Sequence, residues 1–88
     1  MADASVISGT VRGPNGKPVS GARVYFTDGP VSFPEIAAIT DERGAYSLTA
    51  PAPGKWVVGC ATDDFGTKIS SVSVSGGKPV RHDFQLKA

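Results

Sequence analysis

The segment from residue 40 to residue 48, with the sequence TDERGAYSL, constrains the fold of this chain more than any other. Asp41 can hydrogen-bond the backbone two residues on, and Gly44 supplies the positive φ that closes a tight turn. On both sides of this turn, large apolar side chains alternate with small or polar ones, which is the period of a half-buried strand. We predict a β-hairpin in which Ile39 faces Tyr46, because that register collects the large apolar side chains on one face.

The same alternation recurs along the rest of the chain, between turns rich in Gly and Pro. The predicted strands are Ser5–Arg12, Ala22–Thr27, 37–40, 45–49, Lys55–Thr62, Thr67–Ser75 and Pro79–Lys87. The chain has eleven glycines and seven prolines, and most of them lie between these strands, which favours turns over disorder. Short strands with turn signals at this spacing predict an all-β fold, a seven-stranded antiparallel β-sandwich of two sheets. We expect residues 1–88 to form a single domain.

The inward-facing positions of these strands define the predicted core. Its members are Ile7, Val11, Val24, Phe26, Ile39, Tyr46, Leu48, Trp56, Val58, Val72, Val74, Phe84 and Leu86. Gly9 interrupts the apolar face of the first strand, where a glycine weakens a strand. We therefore expect Gly9 to mark a bulge or the close approach of another backbone.

Charge and composition exclude several classes of partner. The formal net charge is +1 with both signs interspersed, so a nucleic-acid or anionic-membrane partner has no electrostatic support. No apolar run approaches the length of about 20 residues that a membrane span needs, and no signal peptide is recognisable. Cys60 is the only cysteine, so a disulfide framework is not expected and the redox compartment stays undecided.

Six spaced motifs carry a family resemblance. They are ISGTV at 7–11, PNGKPV at 14–19, GARV at 21–24, TDERGAYSL at 40–48, PGKW at 53–56 and DFQL at 83–86. Together they resemble the carboxypeptidase regulatory-like domains over nearly the whole chain. The resemblance implies a prealbumin-like (transthyretin-like) sandwich that serves as an accessory module of extracytoplasmic proteins, and hence an extracellular or periplasmic location. The chain departs from that pattern at the long, proline-rich segment Asp28–Glu35 and at the turn Asp63–Gly66.

The inventory of catalytic groups is thin. His82 is the only histidine, which excludes a two-histidine metal site, and its phase with Val80 and Phe84 indicates a packed strand histidine. Cys60 lies in phase with Trp56, so we expect an inert, buried thiol. The transthyretin-like hydrolases of purine breakdown share the implied fold, but their amino-terminal His and closing Tyr-Arg-Gly-Ser are absent here. We predict no enzyme activity, no catalytic residue and no cofactor.

Alternating strands would place three loops at one end of the sandwich. The oxygen-bearing residues of those loops are Asn15, Asp41, Glu42, Asp63 and Asp64. Such a set suits Ca²⁺, but solvated turn carboxylates with Lys17 and Arg43 nearby are the alternative. We expect no specific metal site, because none of the loops follows a recognised ligand spacing.

The segment Asp28–Glu35 lies at the opposite end, where Val31 and Phe33 either cap the core or form a contact patch. Tyr25, on an outward face, is a further candidate contact residue.

The leading hypothesis is a non-catalytic accessory module for protein interaction or spacing in a surface or secreted protein. Such a module would be a monomer or weak dimer with a protein or polysaccharide partner. A carbohydrate- or small-ligand-binding module is the alternative, and an exposed aromatic row would favour it. A transthyretin-like hydrolase is the third hypothesis.

Overall fold

The computed structural model describes residues 4–33 and 36–87 of the chain. Every regular element in these two ranges is a β-strand. The strands are β1 (Ser5–Arg12), β2 (Arg23–Asp28), β3 (Ala38–Ile39), β4 (Ala45–Ala50), β5 (Gly54–Thr62), β6 (Gly66–Val74), β7 (Val80–Arg81) and β8 (Phe84–Gln85). One sheet has β1 at its centre, between β4 on one side and β7 and β8 on the other. The second sheet has the order β3-β2-β5-β6. The prediction of an all-β sandwich of two sheets is therefore confirmed, with eight strands instead of seven.

The turn at residues 41–44 forms as the sequence predicts. The amide of Gly44 donates to the carbonyl of Asp41 at 2.9 Å, and Gly44 has a φ of 74°. The Asp41 carboxylate accepts hydrogen bonds from the amides of Arg43 and Ala45, at 2.9 and 3.0 Å. Asp41 and Gly44 therefore have the roles that turn chemistry assigns to them.

The predicted hairpin around this turn is wrong, because its two arms belong to different sheets. β3 pairs with β2, whereas β4 pairs with β1. The Thr40 amide donates to the carbonyl of Ala22 at 2.9 Å, and the Thr40 hydroxyl donates to the carbonyl of Val19 at 2.6 Å. After the turn, the carbonyl of Gly44 accepts from the amide of Val11 at 2.8 Å. Each arm thus finds its partner in an earlier strand, and the turn carries the chain from one sheet to the other.

The pairing of β3 with β2 corrects one member of the predicted core. Ile39 lies opposite Arg23 and shares its outward face, so its side chain is 59% exposed. Ala38, opposite the buried Val24, takes the inward position instead. All other predicted core residues are buried: Ile7, Val11, Val24, Phe26, Tyr46, Leu48, Trp56, Val58, Val72, Val74, Phe84 and Leu86.

Gly9 marks the close approach that the sequence predicts. A β-carbon at Gly9 would collide with the backbone carbonyl of His82, which crosses directly over it. Around this crossing, the His82 amide donates to the carbonyl of Ser8, and the Thr10 amide donates to the carboxylate of Asp83, both at 2.8 Å. His82 and Asp83 thus interrupt the predicted last strand, which is why it appears as the two short strands β7 and β8.

The last strand also runs in a direction that the sequence does not predict, because β7 and β8 are both parallel to β1. The Ser5 hydroxyl donates to the carbonyl of Ser75 at 2.8 Å, so the chain leaves β6 beside the start of β1. A strand that begins there must run in the direction of β1. At the far end, the Leu86 amide donates to the carbonyl of Arg12 at 2.8 Å.

Candidate partner surface

An aromatic cluster closes the end of the core beneath residues 28–33 of the proline-rich segment, whose last two residues, 34 and 35, lie outside the described residues. Trp56 is fully buried, and its indole N–H donates to the carbonyl of Ala52 at 2.9 Å. The ring of Phe26 packs on it with centroids 4.6 Å apart. Phe33 meets Trp56 and Phe26 edge-on, at 5.8 and 5.9 Å. Such edge-to-face contacts add to the burial of the rings, so Phe33 is packed as a cap on the core requires.

The other two predicted contact residues differ from Phe33. Val31 is 46% exposed, two residues before Phe33 in the same segment. Tyr25 is half-buried on the outer face of the second sheet, where its ring lies against Gly59. A β-carbon at Gly59 would be 2.8 Å from the Tyr25 ring and 3.1 Å from Ile69. Tyr25 therefore covers the gap left by Gly59.

Two adjacent pockets flank residues 36–38, between the edges of the two sheets. The larger, of about 340 Å³, is lined by Tyr25, Phe26, Thr27, Phe33, Ile36 and Ala37. The smaller, of about 190 Å³, is lined by Phe26, Ile36, Ala37, Ala38, Leu48 and Thr49. We call the two together the edge groove. The structure thus brings Tyr25 and Phe33 to one surface, whereas Val31 is not among the lining residues.

Ile36 contributes to both pockets and is 71% exposed, but it is not among the contact residues predicted from the sequence. It falls outside every predicted strand, so no alternation assigns it to a face. The available signal was its position: a large apolar residue close after a proline-rich segment and followed by two alanines. Such a residue has no strand of its own to bury it.

The three predicted loops do meet at the opposite end of the sandwich. A β-carbon at Gly13 would lie 3.3 Å from the ring of Phe65, and Gly44 adjoins Pro18. Arg23 and Asp63 form an exposed ion pair at 3.4 Å. The oxygen-bearing residues predicted for this end, Asn15, Asp41, Glu42, Asp63 and Asp64, are all exposed.

The carboxylates of this end do not converge. The Asp41 carboxylate is turned toward its own turn, and the hydrogen bond from the Ala45 amide, followed by that from Arg43, lowers its pKa. Within residues 4–33 and 36–87, no group of three or more His, Cys, Asp or Glu side chains is arranged to hold a metal ion. Of the two acids in the Asp63–Gly66 turn, Asp63 pairs with Arg23 and Asp64 is exposed.

The titratable groups near the core have structural surroundings. The His82 ring stands perpendicular to the ring of Phe84, with centroids 5.0 Å apart. Cys60 is fully buried, and burial raises the pKa of its thiol, which disfavours the reactive thiolate. The Tyr46 hydroxyl donates to the carbonyl of His82, and burial, reinforced by the negative charge of Asp83, raises the pKa of Tyr46.

Two sheets packed around this core, with the last strands parallel to the first, define a prealbumin-like β-sandwich. Residues 6–87 match the family model described as the carboxypeptidase regulatory-like domain. The chain belongs to this family. No helix in the described part of the chain is long and apolar enough to cross a membrane. A search of curated proteins gave no match.

Solved structures share the fold at low sequence identity. A DUF3823 family protein from Parabacteroides merdae superposes with a TM-score of 0.65 at 16% identity, over 98% of this chain and 47% of that one. A mutant type II cohesin–X–dockerin complex from Acetivibrio cellulolyticus gives 0.66 at 19% identity, over 93% and 56%. Chlorocatechol 1,2-dioxygenase from Pseudomonas putida gives 0.68 at 15% identity, over 100% and 62%. The chain thus spans about half to three fifths of the length of these proteins, and the likeness concerns the fold alone.

Proposed function

We propose that this domain is a non-catalytic accessory module for protein interaction or spacing in a surface or secreted protein, with the edge groove as its partner surface. The observation that carries the proposal is the exposed edge groove, in which Ile36 is 71% exposed between two adjoining pockets and the smaller pocket is largely apolar. Exposed apolar patches with a concave shape are typical of interaction sites. Membership of a regulatory-like domain family supports an accessory role.

The surroundings of the titratable groups favour a non-catalytic role. Nucleophilic catalysis needs a nucleophile and a base within hydrogen-bond reach. Cys60 is enclosed in the core, so the one thiol of the chain is not accessible as a nucleophile, and the half-buried His82 packs edge-on against Phe84. The fold does not decide the question, because a fold hosts many unrelated functions.

The carbohydrate-binding alternative needs a row of exposed aromatic rings. In the described part of the chain, Phe65 is the one exposed aromatic side chain, and it lies at the end remote from the edge groove. Trp56 is buried, and Tyr25 and Phe33 are half-buried. The distribution of aromatic side chains therefore favours a protein partner over a sugar chain.

Site-specific photo-cross-linking tests the proposed surface. A photoreactive amino acid is placed at Ile36, and a control at Phe65, which is exposed at the end remote from the edge groove. Extracts of the producing cells and of their surface fraction are then irradiated with each variant. We expect discrete adducts with the surface fraction from position 36 and none from position 65. Equal labelling at both positions, or ester or cyclic-amide turnover that His82→Ala abolishes, would contradict the proposal.

A further inference from the structure

Within the described residues, the edge of the first sheet at β4 carries backbone groups that no other strand pairs. β4 lies at this edge, with β1 on its other side. Ser8, which lies opposite Ser47, accepts a hydrogen bond from His82, so its backbone faces away from β4. In an antiparallel ladder, pairs that bond each other alternate with pairs whose groups face outward. Ser47 and Thr49 therefore direct their amides and carbonyls toward the open edge.

The amides and carbonyls of Ser47 and Thr49 are the four backbone groups of β4 that can bond to an added strand, as far as the described residues show. Ala45 is the first residue of β4 with the same orientation, but it already bonds to Asp41. The Ala45 amide donates to the Asp41 carboxylate at 3.0 Å, and the Ala45 carbonyl accepts from the Asp41 amide at 3.2 Å. For Ser47 and Thr49, the structure shows no such bond anywhere in residues 4–33 and 36–87. Both residues are exposed. An exposed row of donors and acceptors with strand spacing is a template for another strand.

The edge of the second sheet at β6 is protected, in contrast to β4. Lys68 lies on β6, and its ammonium group donates to the carbonyl of Gln85 in the first sheet at 2.9 Å. A lysine on an edge strand opposes pairing with another chain. β4, with the sequence AYSLTA, contains neither a charged residue nor a proline.

The smaller pocket of the edge groove adjoins the same part of β4, since Leu48 and Thr49 line it. An antiparallel strand added to this edge would bond at Ser47 and Thr49. One residue of the added strand would then lie opposite Leu48, between these two bonded positions. In such a non-bonded pair the side chains are close and point to the same face. The added side chain would therefore point toward the apolar pocket of about 190 Å³.

We propose that β4 and the smaller pocket bind an extended peptide segment of a partner protein by strand addition. Main-chain hydrogen bonds to Ser47 and Thr49 supply affinity, and one apolar side chain in the pocket supplies specificity. The neutral edge and the pocket without ionisable lining residues match an uncharged apolar residue. The residues that flank it cannot be proline, because their amides donate to β4. This inference rests on the proposed function and specifies the chemistry of the partner.

A second copy of the chain fits this site less well than a peptide. The symmetric arrangement that uses all four groups places Leu48 of one copy opposite Leu48 of the other. That side chain is already buried in its own core, with 8% exposed, and is not free to fill the pocket. A peptide residue without a core of its own has no such constraint.

The test selects random eight-residue peptides displayed on phage against the intact chain. The selected peptides are then titrated while amide hydrogen exchange is followed by NMR. We expect an enriched apolar position with non-proline neighbours, and at least tenfold slower exchange at the Ser47 and Thr49 amides. Thr49→Pro removes one outward amide and should weaken binding about tenfold, whereas the control Ser71→Ala, at an exposed position of β6 remote from the pocket, should not. If Thr49→Pro fails to fold, N-methylation of the peptide at the two flanking residues replaces it, with the same expected loss.

Each other outcome overturns the inference. Some peptides could shift the NMR signals of Ile36 and Ala37 without slowing amide hydrogen exchange at Ser47 and Thr49. This result would refute strand addition and leave the groove as the partner surface. Concentration-dependent protection of these amides without any peptide would assign the edge to a second copy. Selection that yields no peptide, or only peptides that bind elsewhere, would also refute it, while photo-cross-linking at Ile36 tests the proposed function separately.

Discussion

The backbone carbonyl of His82 occupies the space where a β-carbon of Gly9 would stand. The same carbonyl accepts the hydroxyl hydrogen bond of Tyr46, which is buried on β4. The crossing therefore links β1, the last strands and β4 at one point. Glycine is required at position 9 because a larger residue would leave no room for the His82 carbonyl, and not because of an unusual φ.

Gly9→Ala tests this requirement. The added methyl group must displace backbone instead of a flexible side chain, so we expect a loss of about 1–3 kcal/mol or more in the free energy of unfolding. Urea denaturation measures the loss. Ser71→Ala, on an exposed position of β6, is the matched control and should stay within about 0.5 kcal/mol. A neutral Gly9→Ala would show that the last strands do not cross β1 as described.

Trp56→Ala tests the aromatic cluster. Trp56 is fully buried and in contact with two other rings, so its truncation should cost about 3–5 kcal/mol. A small domain has about 5–15 kcal/mol in total, so the variant should be close to unfolding at room temperature. Calorimetry or urea denaturation measures this, with Lys55→Ala as the exposed neighbour control. A loss below about 1 kcal/mol would place Trp56 on the surface and revive the carbohydrate hypothesis.

Phe33→Ser distinguishes a cap from a contact residue. Because Phe33 packs edge-on against Phe26 and Trp56, we expect a loss of about 2–4 kcal/mol in the free energy of unfolding. Val31→Ser, at an exposed position of the same segment, should change it by less than about 1 kcal/mol. If both variants were equally stable, Phe33 would be a contact residue alone and our interpretation of it as a cap would be wrong.

The Asp83 carboxylate should make stability depend on pH in the acid range. The hydrogen bond from the Thr10 amide, followed by the charge of Arg81, lowers its pKa below the ordinary value of 3.8. A lowered folded-state pKa adds stability above the unfolded pKa, and this stability is lost as the pH falls through the folded pKa. Asp83→Asn should therefore lower the melting temperature at pH 7, and the difference should vanish well below pH 3.8.

Melting curves of the unmodified protein and of Asp83→Asn between pH 2 and 7 measure the difference in melting temperature. The shift in Asp41 is common to both proteins and cancels. A constant difference over the whole pH range would mean that the side-chain shape of Asp83 matters and its charge does not.

Calcium should leave the domain unaffected. The Asp41 carboxylate already accepts two backbone amides, and the neighbouring carboxylates are exposed. Millimolar CaCl₂ should therefore leave the melting temperature within error, with MgCl₂ as the ionic-strength control. A calcium-specific rise that Asp41→Ala or Asp64→Ala removes would establish a metal site.

Local patterns predict the faces of the strands but not their partners. The side-chain alternation within the individual strands identifies nearly the whole core, because the period of a strand depends on its own residues. The turn at Asp41–Gly44 has the same local chemistry whether it closes a hairpin or joins two sheets. Only contacts with the distant residues Val11 and Ala22 decide between a hairpin and a connection of the two sheets. The sequence spacing does not encode these contacts. The misassigned face of Ile39 follows from this single ambiguity.

The edge groove escapes sequence analysis for a related reason. Its lining comes from β2, β4 and the segment 36–38, which are brought together only when both sheets have formed. The outward orientation of the Ser47 and Thr49 amides likewise depends on which strand lies beside β4. By contrast, the close approach at Gly9 was predictable, because a glycine in the middle of an apolar strand face needs a local reason.

The parallel pairing of the first and last strands determines how the domain responds to tension. β1 begins at one end of a body 41 Å long and 18–19 Å wide, and the chain after β8 leaves beside the far end of β1. A pull on the two chain ends in opposite directions therefore slides β1 past β7 and β8 lengthwise. The bonds from His82 to Ser8, from Thr10 to Asp83 and from Leu86 to Arg12 then bear the load together instead of opening one after another. Forced unfolding in this direction must therefore break this set of bonds at once.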